Sequence, residues 1–389
     1  MRIMDILSRL APLVGVAIAV ATGATAAGYH VEYAFGGGAD GAGPASGLLE
    51  YQQKLYGTTD FNQLLDSKVY AIDPKTGAET VVNTVPQAVL SNGLINFGGK
   101  FYGTISYGSG SYGAIYSLEP ATGQLNIVYA FKGGADGCYP SGDLIKFGGL
   151  LYGMTEGCVD PNTNGTVYSF NPETGVETAV YVFQGHPDGA FPTGDLTVVG
   201  GALYGTTQYG GESGACYLGC GTLFKVDPLT GAETVLHSFA GAASDGALPN
   251  GSLIKVDGML YGTTSAGGSE LCYDVNLGCG VIFSLDPATN AEKVLYIFKS
   301  GSDGQRPLGR MIKVGTSLYG VTELAGAHND GTVFAFDFKS GVKKIIHAFR
   351  GGSDGVYPEA GLTYYHDRLF GTTVAGGAAN DGTVFSIRP

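Results

Sequence analysis

An aromatic residue followed by Gly-Thr, or by a close variant of it, recurs seven times along this chain. The seven copies begin at Tyr56, Tyr102, Tyr152, Tyr204, Tyr261, Tyr319 and Phe370. Successive copies lie 46, 50, 52, 57, 58 and 51 residues apart. A period near 50 residues is typical of one four-stranded blade, and such a unit buries its apolar faces only against neighbouring copies. The repeat therefore predicts one large all-β domain whose units are arranged radially around a central axis.

The fourth copy shows how one unit is built. Its sequence predicts four strands in order: Leu196–Val199, Ala202–Thr207, Gly221–Val226 and Glu233–Phe239. Gly200-Gly201 supplies the positive φ angles that a two-residue hairpin needs. Asp227-Pro228 followed by Gly231 predicts a tight turn before the last strand. Each unit is therefore expected to be an antiparallel meander.

The two ends of the repeat region complement each other. Residues 29–35 (YHVEYAF) match the fourth strand of other units, such as residues 343–349 (KKIIHAF). The last unit stops after a third strand at residues 382–387. We therefore expect residues 29–35 to be the outer strand of the last blade, which closes a seven-bladed β-propeller of four-stranded antiparallel blades. An open solenoid with frayed ends is the alternative.

Residues 1–27 have the layout of a secretory signal peptide. Arg2 and Arg9 precede an apolar run ending near Ala21, and small residues follow up to Ala27. The apolar run is shorter than the roughly 20 residues that span a bilayer, although an uncleaved anchor is an alternative. We expect residues 28–389 to form a single secreted or periplasmic propeller domain without a membrane span.

The six cysteines fit an exported protein. Local pairing would give three disulfides, although six cysteines allow fifteen connectivities. The local pairs are Cys138 with Cys158, Cys216 with Cys220 and Cys272 with Cys279. Cys-x-x-Cys pairs and histidine clusters are missing from the sequence, so it predicts neither a metal site nor a cofactor.

The charge balance excludes two classes of partner. The chain has 34 acidic and 21 basic residues and a formal net charge of −13. Its basic residues are scattered without forming a stripe. An acidic surface of this kind argues against nucleic acid and against anionic membranes as partners.

Three recurring phrases carry a family resemblance. LYGTTxxGG, GTVFxxDPxTG and GGxDGxxP resemble the GloVer tandem repeat of exported bacterial choice-of-anchor proteins, and the likeness covers nearly all of residues 29–389. The resemblance implies an exported propeller whose function is largely unassigned. Members often carry a C-terminal surface-anchoring signal. Residues 386–389 (SIRP) do not resemble one, so we expect release into the periplasm or medium.

An aspartate recurs in the loop between units. Its copies are Asp40, Asp136, Asp188, Asp245, Asp303 and Asp354. These carboxylates could bind cations as a ring, or they could accept backbone N–H bonds within tight loops. Repetition at equivalent positions favours the structural interpretation, because a functional site is usually asymmetric.

Function is expected where the copies differ. The residues entering the inner strands are Gly47, Gly93, Asp143, Asp195, Ser252, Arg310 and Gly361, and only three of them are charged. Glu156 and Glu323 follow two of the Tyr-Gly phrases, and Arg306 shares a loop with Arg310. We expect Asp143, Glu156, Asp195, Arg306, Arg310 and Glu323 to lie near the channel mouth and to bind a polar ligand. A solvated rim with ordinary ion pairs is the alternative.

Three functions remain open from the sequence. The first is a binding module whose partner is a carbohydrate or a cell-surface protein, with stacking tyrosines among Tyr107, Tyr112, Tyr209, Tyr217 and Tyr273. The second is a polysaccharide lyase or hydrolase, or a lactonase-like enzyme, at the channel mouth. The third is a structural scaffold. No Gly-x-Ser-x-Gly segment opens a helix pattern, as a nucleophile elbow requires, so the sequence names no catalytic residue.

Overall fold

Seven antiparallel sheets surround a central channel, so the protein is a seven-bladed β-propeller as the repeat predicts. The computed structural model describes residues 28–60, 66–108, 112–158, 163–241, 243–268, 272 and 278–389. The predicted signal peptide and Tyr273 lie outside these residues. We number the blades 1 to 7 in chain order and give the strands of each from the channel outwards.

Each blade uses one repeat, and the first strand of each repeat is the innermost. Blade 1 has Leu49–Tyr51, Lys54–Thr58, Ser67–Ile72 and Glu79–Val85; blade 2 has Ile95–Phe97, Lys100–Ile105, Ala114–Leu118 and Leu125–Ala130; blade 3 has Pro140–Phe147, Leu150–Thr155, Thr166–Asn171 and Val176–Val182. Blade 4 has Gly189–Val199, Ala202–Gly210, Thr222–Val226 and Glu233–Ser238.

The remaining blades follow the same order. Blade 5 has a divided inner strand, Gly246–Pro249 and Ile254–Val256, and then Met259–Gly267, Val281–Asp286 and Ala291–Ile297. Blade 6 has Gln305–Val314, Ser317–Leu324, Thr332–Asp337 and Val342–Ala348; blade 7 has Thr363–Tyr365, Arg368–Thr373, Thr383–Ile387 and His30–Ala34. A small extra sheet pairs Ala88–Val89 with Tyr107–Gly108, and 3₁₀ turns occupy Gly134–Asp136, Gly301–Asp303 and Gly352–Asp354.

The N-terminal strand closes the ring. His30–Ala34 pairs antiparallel with Thr383–Ile387 and supplies the outer strand that blade 7 lacks. Tyr29 and Phe35 flank this strand and are buried, with 1% and 0% of their surface exposed. The closure is therefore held by core packing as well as by backbone pairing.

The inner strands differ from the predicted ones. The expected start of the fourth repeat's first strand was Leu196, but the strand begins at Gly189 because residues 189–193 pair with an extension of the second strand to Gly210. The long inner strands of blades 3, 4 and 6 each contain a register shift, between Ser141 and Ile145 in blade 3. These bulges shape the channel.

The core lies between neighbouring blades. Third-strand aromatic residues such as Tyr70, Tyr168 and Phe283 are fully buried and lie over the glycine of the aromatic-Gly phrase. A Cβ at Gly57, for example, would meet the Tyr70 hydroxyl at 2.5 Å. The repeated glycine is thus required because a large ring of the adjacent strand fills its place.

Three disulfides link the cysteines in local pairs. Cys138 is bonded to Cys158, Cys216 to Cys220 and Cys272 to Cys279, with Cα atoms 5.4, 5.1 and 5.3 Å apart. Disulfides persist in oxidising compartments, so these bonds are compatible with an extracellular or periplasmic location. Within the part of the chain that the structure describes, we find no helix that could serve as a membrane span.

Candidate functional site

A cavity of about 570 Å³ occupies the central channel, and residues of all seven blades line it. Its charged lining consists of Asp60, Asp143, Glu156, Asp195, Arg310 and Glu359. Five carboxyl groups therefore face one guanidinium. The lining departs from the sevenfold repeat, since these charged residues come from blades 1, 3, 4, 6 and 7 only.

The bulges of the inner strands place three of these side chains. In blades 3, 4 and 6 the register shift spans Gly142-Asp143, Gly194-Asp195 and Gly309-Arg310. The three glycines have φ angles of 71°, 72° and 65°, which a glycine adopts without strain. A Cβ on Gly142 would lie 1.8 Å from the carbonyl oxygen of Gly194, so the neighbouring blades approach too closely for a side chain.

We call the seven residues at this level the channel ring: Gly47, Gly93, Asp143, Asp195, Ser252, Arg310 and Gly361. Four of them are linked in series. The Gly93 N–H donates to Asp143 Oδ1, the Asp143 N–H donates to Asp195 Oδ1 at 2.7 Å, and the Asp195 N–H donates to Ser252 Oγ at 2.7 Å. Each side chain thus ties its blade to the preceding one. The side chains of Asp143 and Asp195 therefore make a structural contact and also line the cavity.

The charges of the channel ring interact. Desolvation inside the channel and the nearby Asp195 carboxylate raise the pKa of Asp143, and the Gly93 N–H and Arg310 partly offset that rise. The Arg310 side chain is exposed to solvent in the channel. The channel ring therefore brings together Asp143, Asp195 and Arg310.

A second group of charges lies beside the channel ring. Glu156 lines the cavity, and burial raises its pKa. Arg306 and Glu323 form an ion pair at 3.2 Å and are not part of the cavity lining. Glu359 interacts with this ion pair and with Asp60. Burial and the carboxylates of Glu323 and Asp60 raise the pKa of Glu359 to about 7, although Arg306 opposes the rise.

Sequence reasoning missed two of these carboxyl groups. Asp60 occupies the position of Glu156 and Glu323 in the first copy, and Glu359 lies two residues before Gly361. Both positions vary among the copies, so a comparison extended to every variable loop position would have found them.

A non-glycine residue with a positive φ angle precedes a proline at five of the blade junctions. Tyr139, Phe191, Leu248, Arg306 and Tyr357 each precede a proline and have φ angles between 52° and 58°. A positive φ is uncommon for bulky residues and is found where the surrounding structure enforces it. Tyr139 stacks on Tyr107, with ring centroids 4.4 Å apart. Burial and the nearby Glu156 raise the pKa of Tyr107. This half-buried pair therefore lies next to the cavity.

The recurring loop aspartates lie elsewhere, at the blade interfaces. Each accepts the backbone N–H of a residue four or five positions earlier, at 2.7–2.9 Å. Each also contacts an outer-strand ring: Tyr33, Tyr129, Tyr181, His237, Tyr296 or His347. These are the contacts that a structural role requires. The six carboxylates lie at separate interfaces, one at each.

A residue at or next to the start of the following blade's outer strand completes each interface. We call the resulting clusters the outer network: Tyr33–Asp40–Glu79, Tyr129–Asp136–Glu177, Tyr181–Asp188–Glu233, His237–Asp245–Glu292, Tyr296–Asp303–Lys343 and His347–Asp354–Tyr29. Desolvation and the facing aspartate raise the pKa of Glu79, Glu177 and Glu233 to about 7. Between blades 1 and 2 the loop aspartate is missing, and Leu125 stands where the glutamate would be.

A second cavity of about 640 Å³ lies between blades 3 and 4, beside the Cys216–Cys220 loop. Phe191 and Tyr209 line it, with centroids 5.6 Å apart in an edge-to-face arrangement. Tyr217, at the tip of the loop, is 99% exposed. The loop is therefore an aromatic projection at the side of the propeller, not at its channel.

Comparison with known proteins supports the fold and the repeat. A family model described as Gloeobacter/Verrucomicrobia repeat matches residues 65–276 and 273–389. No curated protein sequence matches the chain significantly.

Solved structures resemble the chain in fold. An oligogalacturonate lyase in complex with manganese has a TM-score of 0.53 at 13% identity, covering 86% of each chain. An oligogalacturonate lyase from Vibrio parahaemolyticus has a TM-score of 0.54 at 11% identity, covering 89% of each chain. A proposed 6-phosphogluconolactonase from Bacteroides uniformis has a TM-score of 0.52 at 14% identity, covering 78% of this chain and 84% of that one. At these identities the likeness concerns the fold alone.

Proposed function

The chain belongs to the Gloeobacter/Verrucomicrobia repeat family, and we propose that it is an exported binding module that holds a carbohydrate at the mouth of its central channel. The observation that carries the proposal is the polar channel cavity of about 570 Å³, whose charged lining residues stand at positions where the repeats differ. A structural scaffold has no need of a charged channel lining that departs from the repeat. A lectin with one site per blade would show seven similar pockets.

The chemistry of the lining favours a neutral or basic glycan. Carboxylates and a guanidinium offer acceptors and donors to sugar hydroxyls, as small-molecule sites do with a few convergent polar groups. Five carboxyl groups against one arginine repel a polyanion. The stacked Tyr107 and Tyr139 beside Glu156 offer an apolar face on which a sugar ring can lie.

A glycan array probed with the purified protein tests this function. We expect binding to neutral or amino-sugar glycans, and loss of that binding in an Arg310→Ala variant. An array with no bound glycan would overturn the proposal. A preference for uronate-rich polymers would contradict the charge argument.

An enzyme at the same mouth is the second candidate. Its support is Glu359. The pKa of its side chain is about 7, so at neutral pH the carboxyl group is protonated in a fraction of the molecules, beside Asp60. Glycoside hydrolysis uses a pair of carboxyl groups, one as the acid and the other as the base or nucleophile. Burial raises the pKa of Asp60 as well. Release of reducing ends from an array-positive glycan, abolished by Glu359→Gln, would support this candidate. Binding without turnover would contradict the enzyme and support the binding module.

A further inference from the structure

The outer network contains one cluster whose chemistry differs from the others. Between blades 4 and 5 the residues are His237, Asp245 and Glu292, and their ligating atoms all lie within 4.8 Å of one another. Among the described residues, this is the one group of three such side chains so close together. The corresponding clusters between blades 2 and 3 and between blades 3 and 4 have a tyrosine in place of the histidine.

The contacts inside this cluster are poor hydrogen bonds. His237 Nε2 lies 3.4 and 3.3 Å from the two oxygens of Asp245, beyond the usual N–H···O range. The sister contact of Tyr181 with Asp188 is 2.9 Å, and that of His347 with Asp354 is 3.0 Å. Two donors bound to one tetrahedral zinc ion at 2.0–2.1 Å lie about 3.3 Å apart. The spacing of His237 and Asp245 therefore matches two ligands better than a donor and an acceptor.

The third side chain has an oxygen to offer. Glu292 Oε1 is inaccessible to solvent and has no hydrogen-bond partner among the described residues, as is also true of Oε1 of Glu79, Glu177 and Glu233 in the sister clusters. The feature that this cluster adds is the imidazole nitrogen of His237 beside that oxygen. A buried carboxylate oxygen without a partner is costly unless a proton or a cation satisfies it. The side chains of His237 and Asp245 keep 25% and 16% of their surface exposed, so an ion and its water ligands can reach the cluster from solvent.

We propose that His237, Asp245 and Glu292 form a binding site for a divalent first-row metal ion at the interface of blades 4 and 5. One imidazole nitrogen and two carboxylates suit Zn²⁺, with water completing the coordination. The ion would link the two blades, because His237 and Asp245 belong to blade 4 and its exit loop while Glu292 is the second residue of the outer strand of blade 5. This site is independent of the channel.

The repeat supplies a matched control on each side. His237→Tyr converts the cluster into the form found at Tyr181–Asp188–Glu233 and removes the nitrogen ligand without leaving a cavity. Tyr181→His makes the reverse change between blades 3 and 4. A histidine beside a loop aspartate already occurs at His347, so the fold accommodates it.

Calorimetric titration of the purified protein with Zn²⁺ at neutral pH tests the proposal. We expect one equivalent bound by the wild type, an affinity at least about tenfold lower in His237→Tyr, and a second equivalent in Tyr181→His. The melting temperature of His237→Tyr in the presence of a chelator should equal that of the wild type.

Anomalous scattering from zinc-soaked crystals locates the ion. A peak between His237 Nε2 and the two carboxylates supports the site. A peak elsewhere, or equal Zn²⁺ affinity of the wild type and His237→Tyr, overturns the proposal. An unchanged stoichiometry in Tyr181→His would show that the cluster geometry does not bind metal, and would overturn it as well.

Discussion

The outer network and the channel ring are both circles of polar residues, but they use the repeat in opposite ways. In the outer network a loop aspartate recurs in six of the seven units and makes the same contacts each time. In the channel ring glycine, aspartate, serine and arginine alternate without a period. The outer circle holds neighbouring blades together. The inner circle is free to vary and therefore can carry a specific site.

The two regions also differ in how they bury charge. Each outer cluster encloses its own pair of groups between two blades, so a change there leaves a buried group unpaired. The channel ring opens onto a cavity and keeps its arginine in solvent. Substitutions that leave a buried group without its partner should therefore cost stability in the outer network, and substitutions in the channel ring should cost binding.

Removal of residues 28–36 is expected to have the largest effect. It takes away the outer strand of blade 7 together with Tyr29 and Phe35, which are buried, and exposes the edge of Thr383–Ile387. The loss of two buried aromatic side chains alone costs about 6–10 kcal/mol, which is comparable to the whole stability of a typical domain. Thermal unfolding followed by circular dichroism measures it. A truncated protein as stable as the full one would show that the closing strand is dispensable.

Lys343 offers the next largest effect. Its side chain is 1% exposed and lies 2.9 Å from Asp303, over the ring of Phe298. Lys343→Ala removes the cationic partner of Asp303, which keeps only the hydrogen bonds from the Tyr296 hydroxyl and the Lys299 N–H. The variant should lose about 3–5 kcal/mol in urea unfolding. Lys343→Glu should cost less, because glutamate fills the same position in four sister clusters. If both variants lose the same stability, the sister clusters are not interchangeable.

The pH dependence of stability tests the carboxyl pairs of the outer network. The folded-state pKa of Glu79, Glu177 and Glu233 is about 7, above the ordinary value of 4.5. Burial is the main cause, and the facing Asp40, Asp136 and Asp188 add to it. Lys132 also faces Glu177 and opposes the shift. A raised pKa stabilises the fold below the ordinary value, and that stability is lost as the pH rises through 7. We therefore expect the melting temperature to fall between pH 5 and pH 8.

A triple Glu→Gln variant at these positions isolates the effect. Glutamine mimics the protonated acid, so the variant should match the wild type at pH 5 and exceed it at pH 8. The exposed Glu173→Gln serves as the control and should change neither value. A wild-type melting temperature that rises over this range, or a triple variant with the same pH profile, would contradict the pairing.

The sequence predicted the frame of the molecule because the frame repeats. Seven copies of one phrase give seven second strands, and the spare strand at residues 29–35 gives the closure. The inner-strand bulges at Gly142, Gly194 and Gly309 were not predicted, since a bulge depends on how neighbouring blades meet at the channel. The Glu79 and Lys343 positions were missed for the same reason, because their partners lie about 40 residues away along the chain. Asp143, Asp195 and Arg310 stand out in the sequence because they interrupt a repeat, and their role in binding stays a prediction.

The central claim is that the outer network stabilises the fold and the channel ring binds the ligand. The thermal shift that a glycan produces tests it most directly. A glycan identified on the array, added at about 100 times its dissociation constant, should stabilise the wild type by about 2.7 kcal/mol. Arg310→Ala should melt at the wild-type temperature without glycan and should show no shift with it. A variant that is shifted as much as the wild type would contradict the account, and would show that the ligand binds outside the channel.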